Sequence, residues 1–339
     1  MSEESNKTTR PAFLKWASFF LALLVLVAAI LAYTAQVRFL APGPLQQDVS
    51  VLIPRGAGLE KITGLLEKAG LLEKEGIIDD ALIFQLGARY TQRSKNLKAG
   101  EYLFPAQVSM DQAIAILESG KSIAYAVTIP EGKTSQEIVD ILLAEPALEG
   151  TINQTPQEGS LLPETYHFVR GDSRQSIIDR MQADLTRTLQ DLWDKRQEGL
   201  PLKSPQEALI LASIVEKETG VASERPLVAG VFVNRLNKSM RLQSDPTVSY
   251  GITLGKQPLG RSLTRADLKA LTAYNTYTID GLPPGPIANV GRSALEAVMQ
   301  PAATKYLYFV ADGTGGHAFA RTLKEHNKNV RIWRSVQMK

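Results

Sequence analysis

The 339-residue chain contains no cysteine. Disulfides, thiol nucleophiles and cysteine-ligated metal sites are therefore excluded. A cysteine-free sequence also suits an exported protein that avoids stray disulfides. Histidine is nearly as scarce. His167, His317 and His326 show no i, i+4 ligand spacing, so no metal and no cofactor is expected. Neither charge sign dominates: Lys and Arg number 38, Asp and Glu 35, for a net charge of +3. No basic stripe is interleaved with aromatics, which argues against a nucleic-acid partner. No Gly-x-Ser-x-Gly elbow is present for a serine hydrolase. Gly313, Gly315 and Gly316 follow a strand-like run but open no helix, so a phosphate-cradling loop is not supported.

Long apolar runs are absent with one exception. Trp16 to Tyr33 is uncharged for 18 residues, about 27 Å as a helix, close to the hydrocarbon thickness of a bilayer. Lys7, Arg10 and Lys15 precede it, and Glu3 and Glu4 carry little weight in the positive-inside rule. The pattern predicts a cytoplasmic segment over 1–15, a membrane span over 16–35 and everything after about Gln36 outside; the localisation expected for the chain is the inner membrane, with the later residues periplasmic. A cleaved signal peptide is the competing reading. The run is long for one, and Tyr33-Thr34-Ala35-Gln36 makes a poor cleavage site. Ala41-Pro42-Gly43-Pro44 reads as a stiff spacer within a linker over 36–45.

The remaining chain is long enough for two compact domains. Val51-Leu52-Ile53-Pro54-Arg55-Gly56 is echoed 76 residues later by Val127-Thr128-Ile129-Pro130-Glu131-Gly132. Each copy predicts a strand, a turn and an amphipathic helix. Between them a helix is expected over 77–90, a strand over 99–104 and a helix over 109–119. The fold class is α+β. A charged helix is expected over 173–197, and Ser223 is expected to cap another over 225–236. The stretches around Arg241–Gly251, Tyr274–Tyr277 and Gly281–Pro286 read as polar loops, and Tyr306–Val310 as a strand.

The chemistry centres on Ser204 to Gly220. Ser204 and Glu207 have capping-box spacing, Pro205 suits the first turn and Gly220 a stop. No charge occurs between Glu207 and Glu216, which predicts a helix buried on most sides. Glu218 continues the stripe of Leu211, Ile214 and Val215. Glu216 points about 200° away. Apolar surroundings and the negative helix end should both raise the pKa of Glu218. A carboxyl kept protonated near neutrality is what a general acid for glycoside cleavage needs. On pattern alone, a Glu-Lys-Glu cluster is more often a solvated helix end. Gln243, Asp245, Tyr250, Tyr274, Asn275 and Tyr277 follow in loop-like sequence. They offer the flat aromatic faces and hydrogen-bonding groups that sugars require, although Asp245-Pro246 and Asn275-Thr276 are equally suited to plain turns.

Taken in order, Leu211–Thr219, Val221–Arg225, Val231–Leu236, Met240–Thr247, Ala273–Tyr277, Gly281–Ile287 and Tyr306–Ala311 closely resemble the YceG-like family of endolytic murein transglycosylases. The resemblance spans the whole chain. It implies a LysM-like α+β subdomain over 46–123 and a mixed α/β YceG-type catalytic domain over 124–339. It implies Glu218 as the catalytic residue, with Gln243, Asp245, Tyr274, Asn275 and Tyr277 on the substrate. It further implies cleavage between N-acetylmuramic acid and N-acetylglucosamine within nascent glycan strands, giving 1,6-anhydro ends, and peptidoglycan synthases as neighbours. Leu162 and Glu164 depart from the family pattern, where an aromatic and Asp are frequent, leaving the role of Leu161–Tyr166 open. Two other readings remain: a muramidase-type hydrolase using Asp245 as second carboxylate, and a non-catalytic glycan-binding scaffold. The subdomain carries no carboxylate like Glu218. Its Glu60, Glu67, Lys68, Glu73 and Lys74 read as solvated helix faces.

Overall fold

The computed structural model describes residues 10–69 and 76–337. Glu3, Glu4, Lys7, Glu73 and Lys74 lie outside the described residues. The chain forms two compact units, one of Met1–Ala124 with Val169–Gly171 and the other of Tyr125–Phe168 with Asp172–Lys339.

The first unit begins with helix α1 (Arg10–Leu40). Its segment Leu14–Leu40 is long and apolar enough to cross a membrane and has no buried residues in its most apolar window. The helix runs on through 36–40, where a linker was expected. Phe39 and Leu45 are buried in the unit's core, and the Gly43 N–H donates to the Gln107 carbonyl. Strand β1 (Val49–Ile53) leads through a turn at Gly56 into α2 (Leu59–Lys68). Helix α3 (Ala81–Tyr90) starts four residues later than expected. The Asp80 carboxylate caps it through the Ile83 N–H, while Ile77 and Ile78 enter the core ahead of it. Strand β2 (Gly100–Phe104) pairs antiparallel with β1, Val49 opposite Phe104 and Ile53 opposite Gly100. Helix α4 (Met110–Ser119) opens on a full capping box from Ser109 and Gln112. Ile53, Leu66, Phe84, Tyr102, Phe104 and Leu117 fill the core, and Glu60, Glu67 and Lys68 are exposed.

The second unit repeats the motif. Strand β3 (Ala124–Thr128), a turn with Gly132 at φ 74° and helix α5 (Ser135–Ala144) match the first copy element for element. β4 (Thr165–Val169) pairs with β3. Helix α6 (Arg174–Asp194) covers this sheet's core through Ile177, Ile178 and Met181. Next come α7 (Pro205–Glu218) and α8 (Arg225–Asn237). Ser223 does not cap α8. It lies inside a short 3-10 turn, Ala222–Glu224, which leads into the helix without a side-chain cap. Asp245–Thr253, expected as loop, is helix α9. Pro246 occupies its first turn, and buried Thr247 and Val248 outweigh its polar composition. Helix α10 (Arg292–Met299), the antiparallel hairpin β5 (Tyr308–Ala311) and β6 (His317–Ala320), and helix α11 (Leu323–Gln337) complete the unit.

Every residue of α7 from Ala208 to Glu216 is buried. Leu209, Leu211, Ile214 and Val215 pack with Val228 and Phe232 of α8 and with Leu295 and Val298 of α10. Each such side chain contributes roughly 1.5–3 kcal/mol, so the helix that ends on Glu218 is a rigid central element. Leu161 and Leu162 are buried, the Tyr166 hydroxyl donates to the Leu162 carbonyl, and Asn289 Oδ1 accepts from the Leu161 N–H. Leu161, Leu162 and Tyr166 thus pack as core, while Glu164 and Thr165 are exposed.

Candidate active site

Glu218 is the last residue of α7. Helix termination comes from Thr219, which turns extended at φ −143°, and not from Gly220. Ser204 caps the other end through the Glu207 N–H, but Glu207 reaches back to the Lys203 N–H, one residue outside the expected box.

The two glutamates flanking Lys217 have different surroundings. Glu216 is inward, its side chain 4% exposed, paired with Arg225 at 2.8 Å and accepting from the Gly291 N–H at 3.1 Å. Arg225 also holds Glu131 at 2.8 Å and hydrogen-bonds Ser293. A Cβ at Gly291 would collide with the Glu131 carboxyl, so that close approach requires glycine. Lys217 turns away to the Gly132 carbonyl at 3.1 Å. Glu216 is therefore a second buried carboxyl that the sequence reading did not credit, but both its oxygens are committed to holding the structure.

Glu218 is partly buried, and Ser244 Oγ donates to its Oε1 at 2.5 Å. Burial pushes its pKa from 4.5 up to about 7, and the Asp245 charge adds to the rise. The Ser244 hydroxyl and the Arg235 guanidinium oppose it. Arg235 is itself buried and fixed by the carbonyls of Leu307 and Leu242, both at 2.7 Å.

Ser244 owes its aim to a departure from local rules. It occupies the N-cap position of α9 yet gives the helix no side-chain cap, forgoing about 1 kcal/mol. Its hydroxyl serves Glu218 instead. The Ser244 N–H donates to Thr276 Oγ1 at 2.9 Å, and Thr247 Oγ1 donates to the Ser244 carbonyl at 2.6 Å. Gln243 just before it sits in the left-handed region at φ 49°, which is unfavourable for a residue with a Cβ.

The proposed substrate residues are placed in different ways. Asp245 and Tyr277 lie beside Glu218, and the Tyr277 hydroxyl donates to Asp245 Oδ1 at 2.6 Å. Tyr277's own pKa is raised by burial first and by Asp245 next. Gln243 is exposed next to Ser244. Tyr274 stands edge-on to Tyr250, their ring centres 4.8 Å apart. Tyr250 lines a cleft of about 410 Å³ together with Lys217, Asp245, Pro246 and Leu259. Asn275 has no exposed surface. Its Nδ2 donates to the carbonyls of Ala270 at 2.7 Å and Leu268 at 3.2 Å, and its Oδ1 accepts from the Tyr277 N–H at 3.0 Å. Placed there, it shapes the loop from behind and has no free group for a sugar.

Sequence reasoning missed Ser244, Arg235 and Glu224. The signal for Ser244 was its position between Gln243 and Asp245. For Arg235 it was a lone cation in the apolar run of α8. Glu224 accepts from both the N–H and Nδ1 of His317, at 2.8 and 2.7 Å, so His317 ties the β5–β6 hairpin to the start of α8.

Burial raises the pKa of both Glu216 and Glu218, but Glu216 is committed to Arg225 and Gly291, whereas Glu218 stands partly exposed beside Ser244, Asp245 and Tyr277, an arrangement suited to acid–base chemistry. The YceG-like family model matches residues 51–332, and the chain belongs to that family. An endolytic murein transglycosylase of Bacillus subtilis (strain 168) is 33% identical over 321 residues, covering 84% of this chain and 86% of that protein. One from Streptococcus pneumoniae serotype 2 (strain D39) is 30% identical over 331 residues, covering 83% of this chain; the chain spans 58% of that relative's length. The crystal structure of a yceG-like protein from Listeria monocytogenes aligns with a TM-score of 0.49 at 33% identity, covering 84% of this chain and 99% of that one.

Proposed function

We propose that this protein is a membrane-anchored endolytic transglycosylase of peptidoglycan with Glu218 as its single general acid/base. The observation that carries the reading is the elevated pKa of Glu218, about 7, at a fixed helix end. The name of its relatives, endolytic murein transglycosylase, supports the same reaction class. At neutral pH a substantial fraction of this carboxyl is protonated, as a general acid requires.

In the first step the Glu218 proton passes to the oxygen between N-acetylmuramic acid and N-acetylglucosamine as the bond from muramic C1 to that oxygen breaks. The N-acetylglucosamine side leaves with a new hydroxyl. In the second step the Glu218 carboxylate removes the proton from the muramic C6 hydroxyl, whose oxygen bonds to C1. A 1,6-anhydro end forms, Glu218 regains its proton and no water is consumed. With Ser244 donating to Oε1, the transferable proton resides on Oε2. Asp245, Tyr277, Gln243 and Tyr274 contact the glycan, and Asn275 holds their loop.

Helix α1 anchors the chain in the inner membrane with the amino terminus cytoplasmic and the catalytic unit periplasmic. The segment 46–123 acts as a LysM-like glycan-positioning module. Cleavage close to the membrane, beside the synthases that make the strands, terminates their elongation. The test is the mass of products that the purified full-length chain releases from uncrosslinked glycan. Ends lighter than reducing ends by one water support the transglycosylase. Reducing ends indicate a hydrolase using Asp245, and absence of cleavage indicates a scaffold.

A further inference from the structure

The first unit exposes an apolar stripe that its core does not use. On α3, Leu82, Leu86 and Tyr90 follow one another at i, i+4 and i+8, and are 66%, 53% and 91% exposed. At 100° per residue they span about 80° of the helix surface, away from Phe84 and Ala88, which face the core. Three large apolar side chains in a row on one helix face mark a contact surface.

That face adjoins α1. Phe39 of α1 packs on Gly87, where a Cβ would stand 2.2 Å from the ring. Arg38 binds Asp79 at 2.9 Å and Asp80, the α3 cap, at 3.0 Å. Between the helices runs a groove of about 590 Å³ lined by Ala32, Ala35, Phe39, Ile83, Leu86 and Tyr90.

The level of this groove follows from the length of α1. Lys15 and Arg38 bracket 22 uncharged residues, about 33 Å of helix, against a hydrocarbon layer of about 30 Å. Arg38 and its Asp79–Asp80 partners then lie among the headgroups. Ala32, six residues earlier, lies about 9 Å deeper. Interfacial helices bury their apolar face by about 5–10 Å. Tyr90, with an apolar body and a polar tip, is a side chain that favours this boundary. Arg89 beside it is exposed, and a cation at this level suits lipid phosphate.

We infer that α3 is a second membrane-contact element: its Leu82–Leu86–Tyr90 face docks into the outer lipid interface and seats the first unit on the bilayer. The inference rests on α1 spanning the membrane. Lipid is favoured over a partner helix because the groove is continuous with the exposed apolar surface of α1. The docked face removes the swivel that a single anchor would leave, and it fixes which surface of this unit meets the glycan.

The absence of cysteine makes the test direct. Single variants Val25→Cys, Glu60→Cys, Leu86→Cys and Tyr90→Cys of the full-length chain are labelled with an environment-sensitive fluorophore. They are reconstituted in phosphatidylethanolamine–phosphatidylglycerol vesicles carrying doxyl-labelled lipid. The exposure of Leu86 and Tyr90 means that their labels leave the core intact. The expected result is blue-shifted emission and loss of intensity to shallow doxyl groups at positions 86 and 90, loss to deep doxyl groups at 25, and neither at 60. If 25 is quenched while 86 and 90 behave like 60, docking is overturned and the span stands; a partner helix or solvent then covers the face. If 25 is unquenched, α1 does not insert and both readings fall.

Discussion

Glu218→Gln removes one ionisation while keeping the shape of the side chain, which makes its effect on stability calculable. The wild-type carboxyl ionises near 4.5 when unfolded and near 7 when folded. The folded state therefore holds the proton more tightly. The resulting stabilisation is fully present below about pH 4.5 and is lost as the pH rises through about 7. At about 1.4 kcal/mol per pH unit the interval is worth roughly 3 kcal/mol. For a unit of this size that corresponds to roughly 6–12 °C in Tm, a ceiling because Glu218 is only partly buried. The glutamine variant cannot ionise and lacks this dependence. Calorimetry of the detergent-solubilised full-length chain at pH values from about 4 to 8 should show the variant's second-unit Tm gaining on wild type as pH rises, most steeply near about pH 6, midway between the two pKa values. A difference that stays flat would refute the claim that Glu218 sits in a site hostile to its charge.

Four further variants probe the same geometry. Glu216→Gln leaves buried Arg225 with Glu131 as its remaining carboxylate, so it should destabilise by roughly 3 kcal/mol while activity per folded molecule persists, as read by melting and glycan turnover on the same sample. Ser244→Ala removes the donor to Glu218 Oε1. The Glu218 pKa should rise further, moving the alkaline limb of the pH–rate profile upward by about one unit, the equivalent of a hydrogen bond to a charged group; an unmoved limb would remove Ser244 from the site. Asn275→Ala abandons several backbone carbonyls and should lower Tm by an amount equivalent to about 2–3 kcal/mol, whereas Tyr277→Ala should weaken glycan binding with a smaller effect on melting.

Much of helix α7 was legible because its signals are local. The Ser204 cap, the uncharged run and the position of Glu218 follow from spacing along one helix. The repeated strand-turn-helix was likewise visible as a 76-residue echo. What stayed hidden depends on contacts distant in sequence. Helix α9 looks like loop until Thr247 and Val248 find buried positions. Asn275 has the chemistry of a sugar ligand, and only packing shows that its amide serves backbone carbonyls. Ser244 lies in a stretch that reads as polar loop, yet its hydroxyl crosses to a helix that ends 26 residues earlier. Glu216 and Glu218 differ in sequence by direction alone; Arg225 and Gly291 turn that direction into different roles.

The central claim is that one carboxyl performs both proton transfers. It is tested most directly by digesting uncrosslinked glycan with wild-type and Glu218→Gln full-length protein and counting anhydro and reducing ends by mass spectrometry. The account predicts anhydro ends alone from the wild type, and a loss from the folded variant of at least about 10²–10⁴ in rate. Anhydro ends formed by the folded variant at near wild-type rate, or reducing ends formed by the wild type, would contradict it.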